Sequence, residues 1–243
     1  MGHTAFLIVD AQNAFCSAGG SFRQRGYILP CVSATLRVMD SMLAMAHKRG
    51  DLVAFTQLAY AQAYRDAGLL VHDIAPAIKK LGAYLAGTWD SEVYGFENRL
   101  PSDIVIRKRR YDPFFKTDLE RMLVRNQVGR IVVAGLLTNV CVESCVRSAF
   151  DRDYQVVVVS DGCTTYSKAL HHASLETMDK HLAHVLPFKS LEGFLDDHAD
   201  QKPVTEALHQ VHAGQVAWRR AAARVGFVSA LQQRRRRPGA RRG

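Results

Sequence analysis

No stretch of this 243-residue chain stays apolar over the roughly 18 residues that a membrane-spanning helix requires. The start lacks the pattern of a secretory leader: the apolar run Ala5-Phe6-Leu7-Ile8-Val9 is short and ends at Asp10. Metal and disulfide signatures are missing as well. The five cysteines (Cys16, Cys31, Cys141, Cys145 and Cys163) are an odd number at spacings that fit no zinc motif and no disulfide framework. No Cys-x-x-Cys pair supports thiol redox chemistry. Together these absences argue against a helical membrane protein and a disulfide scaffold, and they predict a reducing, cytoplasmic setting.

Charge imbalance is missing from most of the chain. Residues 1–200 hold 22 Lys+Arg and 22 Asp+Glu, so the net charge of +9 belongs to residues 201–243. The basic balance therefore says little about substrate charge. Residues 1–200 read as one globular domain, long enough for a substantial core. Residues 201–243 are rich in Ala, Gln and Arg and include the run Arg234-Arg235-Arg236-Arg237. This composition predicts a helix followed by a disordered basic tail. Attachment to nucleic acid or an anionic surface is the alternative, without the aromatic interleaving of sequence-specific RNA binding.

What is present is an alternation of strands and helices. Apolar runs predict strands at Ala5–Val9, Leu52–Thr56, Ile104–Ile106, Ile131–Ala134, Val156–Val159 and Ala183–Leu186. Helical spacing predicts helices over Ser33–Arg49, from Thr117 to about Asn126, over Asn139–Arg152 and over Ser167–Leu182, with a capping box at Thr117-Asp118-Leu119-Glu120. Strands this apolar are buried on both faces, as in a parallel sheet covered by helices. The expected fold is a three-layer α/β/α architecture around a six-stranded, mainly parallel sheet. Residues 57–103 form a long connection with little periodicity that includes Tyr60, Tyr64 and Trp89, the kind of segment that often forms a lid or binding loop.

Functional sites in such folds form beyond the carboxyl ends of the strands. Asp10, Lys108 and Cys141 each lie at or just after such an end. Cys141 follows a strand and a turn at Gly135 and falls in the first turn of a helix, where free N–H groups and the helix dipole favour a thiolate and can hold an oxyanion. It reads as a nucleophile, or as a small packed residue. Asp10, part-desolvated at a strand end, reads as a general base or as a turn residue. Lys108 reads as a stabilising cation or as one charge on a solvated face. Cys145, one helical turn on, reads as a packed core thiol.

Three ordered segments resemble the isochorismatase-like cysteine hydrolases: Leu7-Ile8-Val9-Asp10-Ala11-Gln12-Asn13-Ala14-Phe15, Lys108-Arg109-Arg110-Tyr111-Asp112-Pro113-Phe114-Phe115-Lys116-Thr117-Asp118-Leu119, and Gly135-Leu136-Leu137-Thr138-Asn139-Val140-Cys141-Val142-Glu143-Ser144. The resemblance covers roughly residues 4–195. It implies that Cys141 attacks a carbonyl carbon, that Asp10 shuttles the proton and that Lys108 supports both charges. It further implies a thioester intermediate, an oxyanion hole from the backbone N–H groups of Leu137 and Cys141, a cis peptide at Leu136–Leu137, and a homo-oligomer, dimer or tetramer. In the simple strand order for this fold, the Lys108 strand lies some distance from that of Cys141, so their contact is implied by the resemblance alone.

The nucleophilic cysteine, which the family's isochorismate lyases lack, argues for hydrolysis of a C–N bond. Nicotinamidases of the family place an Asp and two His zinc ligands after the second strand. Here Phe55-Thr56-Gln57-Leu58-Ala59-Tyr60-Ala61-Gln62-Ala63-Tyr64 has no His and no carboxylate, so neither metal nor cofactor is expected. His171, His172 and His181 look like helix-surface or interface positions. The segment Ala86-Gly87-Thr88-Trp89-Asp90-Ser91-Glu92, with the lysine and cysteine motifs, is similar to the biuret, triuret and ureidoacrylate amidohydrolases. The implied substrate is a small ureido or carbamoyl compound. Phe15, Tyr111 and Phe115 are expected to wall its pocket or to be plain core aromatics. Gln12 and Asn13 are expected to bond a urea-like group or to cap the local turn. The alternatives are a nicotinamidase-like hydrolase and a non-catalytic binding member with a basic tail.

Overall fold

The computed structural model describes residues 3–199; the expected helix and basic tail of 201–243 lie outside them. Six strands among the described residues form one sheet: β1 (His3–Val9), β2 (Leu52–Leu58), β3 (Ile104–Lys108), β4 (Val128–Leu136), β5 (Gln155–Thr164) and β6 (His184–Leu186). Their order is β3-β2-β1-β4-β5-β6, and every neighbouring pair is parallel.

Alternation along the strands builds two separate cores. In β1, Ala5, Leu7 and Val9 face one layer, where they meet Leu119 and Leu123 of helix Leu119–Arg125, Val146 and Ala149 of helix Glu143–Phe150, and Met178 of helix Lys168–His181. Phe6 and Ile8 face the other, against Met39, Leu43 and Ala46 of helix Val32–Arg49 and Leu191 of helix Leu191–Asp197. The result is the expected three-layer α/β/α fold. No helix among the described residues is long and apolar enough to cross a membrane.

Several boundaries differ from expectation. The strand at β5 continues past Val159 to Thr164, so Asp161 lies within it, exposed, accepting a bond from the Phe188 amide (2.8 Å). The helix expected from Asn139 begins instead as a π-helical turn, Thr138–Val142, and becomes α-helical at Glu143. At the expected capping box the helix starts at Leu119, whose amide donates to Thr117 Oγ1 (3.2 Å), while Glu120 pairs outward with Arg152. The 57–103 connection has a small core of its own, in which Leu58, Tyr60, Tyr64, Val71, Ile78 and Tyr84 pack together.

The strand order reverses between β1 and β4, and a crevice opens there beyond the carboxyl ends. Gly135 lets the two strands close up at that point. Its φ of +146° suits glycine, and a Cβ there would lie 2.3 Å from the Val9 carbonyl oxygen.

Buried thiols make this fold sensitive to alkali. Burial pushes the Cys163 thiol from 9.0 up to about 12, and it moves Cys145 the same way. A raised folded-state pKa stabilises fully below the unfolded value of 9.0, and that stability is lost as pH climbs toward 12. Each thiol that ionises only when unfolded removes about 1.4 kcal/mol per pH unit. Melting temperatures under reducing conditions are expected to fall steadily between about pH 9 and pH 11. A flat profile would contradict this burial account.

Candidate active site

Asp10 ends β1 in a left-handed conformation (φ 51°), tolerated by aspartate, and its side chain is fully buried. Thr56, on the neighbouring β2, holds it from two directions. The Thr56 hydroxyl donates to Asp10 Oδ1 (2.6 Å) and accepts from the Asp10 amide (3.1 Å). This fixes the carboxylate before any substrate arrives, and no sequence motif pointed to it.

Lys108 is the last residue of β3, two strands and therefore about 10 Å away in backbone. Its long stem crosses the end of β2 and brings Nζ to 2.7 Å from Asp10 Oδ2, with both side chains at 0% exposure. The ammonium also donates to the carbonyls of Arg110 (3.1 Å) and Tyr111 (3.0 Å). Burial alone would lower the lysine pKa, but the Asp10 carboxylate reverses this and leaves it above the ordinary value. Lys108 is thus a permanent cation.

Cys141 enters the same cluster from the turn after β4, next to the cis peptide Leu136–Leu137. Its buried thiol lies near enough to Asp10 and Lys108 for the charges of both to act on it. One expectation is overturned here. The helix start does not yield a resting thiolate, because burial and then Asp10 push the thiol pKa up while Lys108 only partly opposes. The magnitudes explain the outcome. A helix end contributes at most about 2 kcal/mol, whereas full burial shifts a pKa by up to about 3–5 units, each about 1.4 kcal/mol. The resting site is a thiol beside a carboxylate–ammonium pair. Iodoacetamide at neutral pH is therefore expected to alkylate exposed Cys31 well before Cys141; selective labelling of Cys141, read by peptide mass spectrometry, would contradict the neutral thiol.

Above Cys141 lies a cavity of about 760 Å³ whose wall includes Leu137, Val140, Phe15, Tyr111, Tyr84 and Tyr166. Its lining is largely apolar, with several aromatic rings, and it reaches Cys141.

The isochorismatase domain family matches residues 4–190 of the chain. Ureidoacrylate amidohydrolase RutB of Variovorax paradoxus is 33% identical over 171 residues, 65% of this chain and 67% of that protein. RutB of Caulobacter segnis is 29% identical over 212 residues, covering 82% and 84%. Among solved structures, a cysteine hydrolase from Pseudomonas syringae pv. phaseolicola superposes with a TM-score of 0.71 at 22% identity, covering 78% of this chain and 90% of that one. An N-carbamoylsarcosine amidase from Thermoplasma acidophilum superposes at 0.62 with 21% identity, covering 76% and 96%. The chain belongs to the isochorismatase family.

Within this family framework, the other expected site residues divide. Phe15 and Tyr111 line the cavity. Phe115 does not. It is 46% exposed and borders a separate surface depression with Asp66, Arg109, Arg110 and Lys116, while its neighbour Phe114 takes the buried position. Gln12 is fully buried and has no group left for a urea. Its amide donates to the carbonyls of Leu58 (3.0 Å) and Ser91 (2.7 Å), and its Oε1 accepts from the Leu58 amide (2.9 Å). Asn13 likewise donates to the Trp89 carbonyl (2.9 Å) and accepts from Ser17 (3.3 Å). Both side chains strap the 57–103 connection to the end of β1. Gln12→Ala would strand the Leu58 amide and carbonyl, while the Ser91 carbonyl keeps Gln57 Nε2 (2.6 Å), so a loss of about 2 kcal/mol or more in urea melts is expected; unchanged stability would contradict the strap.

His171 is less superficial than expected, since its Nδ1 bonds Thr138 Oγ1 (2.9 Å) and ties helix Lys168–His181 to the π turn. Residues missing from the sequence reading include Thr56 and the segment Gln24, Arg25 and Tyr27 on the cavity wall. The latter lie at and after the end of the one-turn helix Ser21–Gln24, too short to leave a periodic signal.

Proposed function

We propose that this protein is a cysteine-dependent amidohydrolase that cleaves a C–N bond of a small ureido or carbamoyl compound and releases ammonia. The reading rests chiefly on one observation: a fully buried Asp10–Lys108 ion pair (2.7 Å) lies close to Cys141, and Cys141 lines a cavity. The relatives named for ureidoacrylate hydrolysis support the substrate class.

With the thiol neutral at rest, attack on the carbonyl carbon is coupled to proton transfer from Cys141 Sγ to the Asp10 carboxylate. The Lys108 ammonium holds the charge that remains near the sulfur and carboxylate. The developing oxyanion takes hydrogen bonds from the backbone N–H groups of Leu137 and Cys141 at the start of the π turn. Asp10 then gives its proton to the departing nitrogen, and ammonia leaves. The acyl group stays on sulfur as a thioester, a thiocarbamate when the acyl carbon belongs to a urea. Water attacks this carbon as Asp10 accepts its proton. The returning thiolate recovers that proton from Asp10, which restores the starting state.

Ammonia release from biuret, triuret, ureidoacrylate, N-carbamoylsarcosine, nicotinamide and simple aliphatic amides tests the proposal. Turnover of a ureido or carbamoyl compound is expected. Turnover of nicotinamide alone, or of no compound in the panel, would contradict it.

A further inference from the structure

The cavity is far larger than a urea group, and its charge is one-sided. Among the described residues no Asp or Glu lines it, whereas Arg25 and the exposed Lys80 do. Arg25 caps the short helix Ser21–Gln24 and is half-buried. Its guanidinium lies over the rings of Phe22 (5.9 Å) and Tyr27 (5.4 Å). Tyr27 in turn packs against Tyr166 (5.2 Å), on the same wall. One arm of Arg25 donates a long bond to the Tyr84 hydroxyl (3.4 Å).

Among the described residues, no carboxylate pairs with Arg25. The acid packed near Tyr84 is already engaged. Asp90 accepts from the Ser21 amide (2.9 Å), the Ser21 hydroxyl (2.8 Å) and the Tyr84 amide (2.9 Å). Arg25 therefore offers most of its planar donor fork to the cavity, among aromatic surfaces that strengthen a charged contact. Arg25, Tyr111 and Cys141 line the same cavity, so one ligand can reach both the guanidinium and the sulfur.

We propose that Arg25 receives the carboxylate of the substrate, so that the enzyme selects small ureido acids over neutral ureas and amides. The inference rests on the hydrolytic reading of Cys141 and deepens it. A guanidinium matches a carboxylate through two parallel N–H···O bonds, which a neutral ureido tail cannot reproduce. Arg25 acts on binding and touches no reacting atom, so its contribution falls mainly in KM.

The test uses the full chain and two matched pairs: 3-ureidoacrylate and N-carbamoyl-β-alanine, each against its methyl ester. Ammonia release gives kcat/KM for each. The wild type is expected to prefer the acid. In Arg25→Met the acid-to-ester ratio is expected to fall about 10- to 100-fold, mainly through KM for the acid. Arg25→Lys, which keeps the charge and loses the fork, is expected to retain part of the preference. A wild-type ratio near one, or a preference unmoved in both variants, would overturn the carboxylate assignment while leaving hydrolysis intact. No Cys141-dependent ammonia from any of the four compounds would overturn the hydrolytic reading and this one with it.

Discussion

Cys141→Ala is expected to lose at least about 10⁴-fold in kcat on any ureido substrate while remaining folded. The size of the loss follows from the role. A nucleophile has no substitute in the cluster: Cys145 is buried one turn further along, and Asp10 and Lys108 serve protons and charge. Removing a nucleophile from a unit of cooperating groups abolishes nearly all the catalysis that the unit provides. The effect on stability is small by comparison, since the substitution removes a single buried sulfur atom. Circular dichroism and a melting curve separate the two effects. Activity within tenfold of wild type would exclude Cys141 as the nucleophile.

Lys108→Met is expected to damage both stability and turnover. The substitution leaves the Asp10 carboxylate without its cation at 0% exposure and leaves the Arg110 and Tyr111 carbonyls without a donor. Breaking a buried ion pair from one side costs about 3–5 kcal/mol. Asp10→Asn strands the ammonium in the same way, and its loss of the proton carrier is expected to cost about 10²–10⁴-fold in kcat. The informative variant combines the two. With neither charge present, the double substitution is expected to be more stable than the sum of the single losses by more than about 1 kcal/mol, yet still inactive. Urea melts of the four proteins give the coupling directly. Strict additivity would mean that the 2.7 Å pair contributes nothing as a pair.

Strand positions were legible in the sequence because parallel strands buried on both faces are plain apolar runs, and Ala5–Val9 is such a run. The three residues of the cluster were legible for a related reason: each follows a strand end, where this fold collects its chemistry. The reach of Lys108 was not. It depends on the order β3-β2-β1-β4, which no local window contains. The partners of Gln12 and Asn13 were not legible for a similar reason, as Leu58, Trp89 and Ser91 arrive only when the 57–103 connection folds back on β1. The reactive-looking thiol was misjudged because helix position is visible in sequence and depth of burial is not. Arg25 caps a helix of only four residues, Ser21–Gln24, too short for periodicity, so nothing in its surroundings set it apart from the other arginines.

Turnover through Cys141 requires a covalent intermediate on its sulfur. Rapid acid quench of the enzyme during turnover of a ureido substrate, followed by peptide mass spectrometry, detects it. An adduct on the Cys141 peptide with the mass of the substrate less ammonia is expected, absent from Cys141→Ala. Steady release of ammonia with the Cys141 peptide unmodified at every quench time would contradict it.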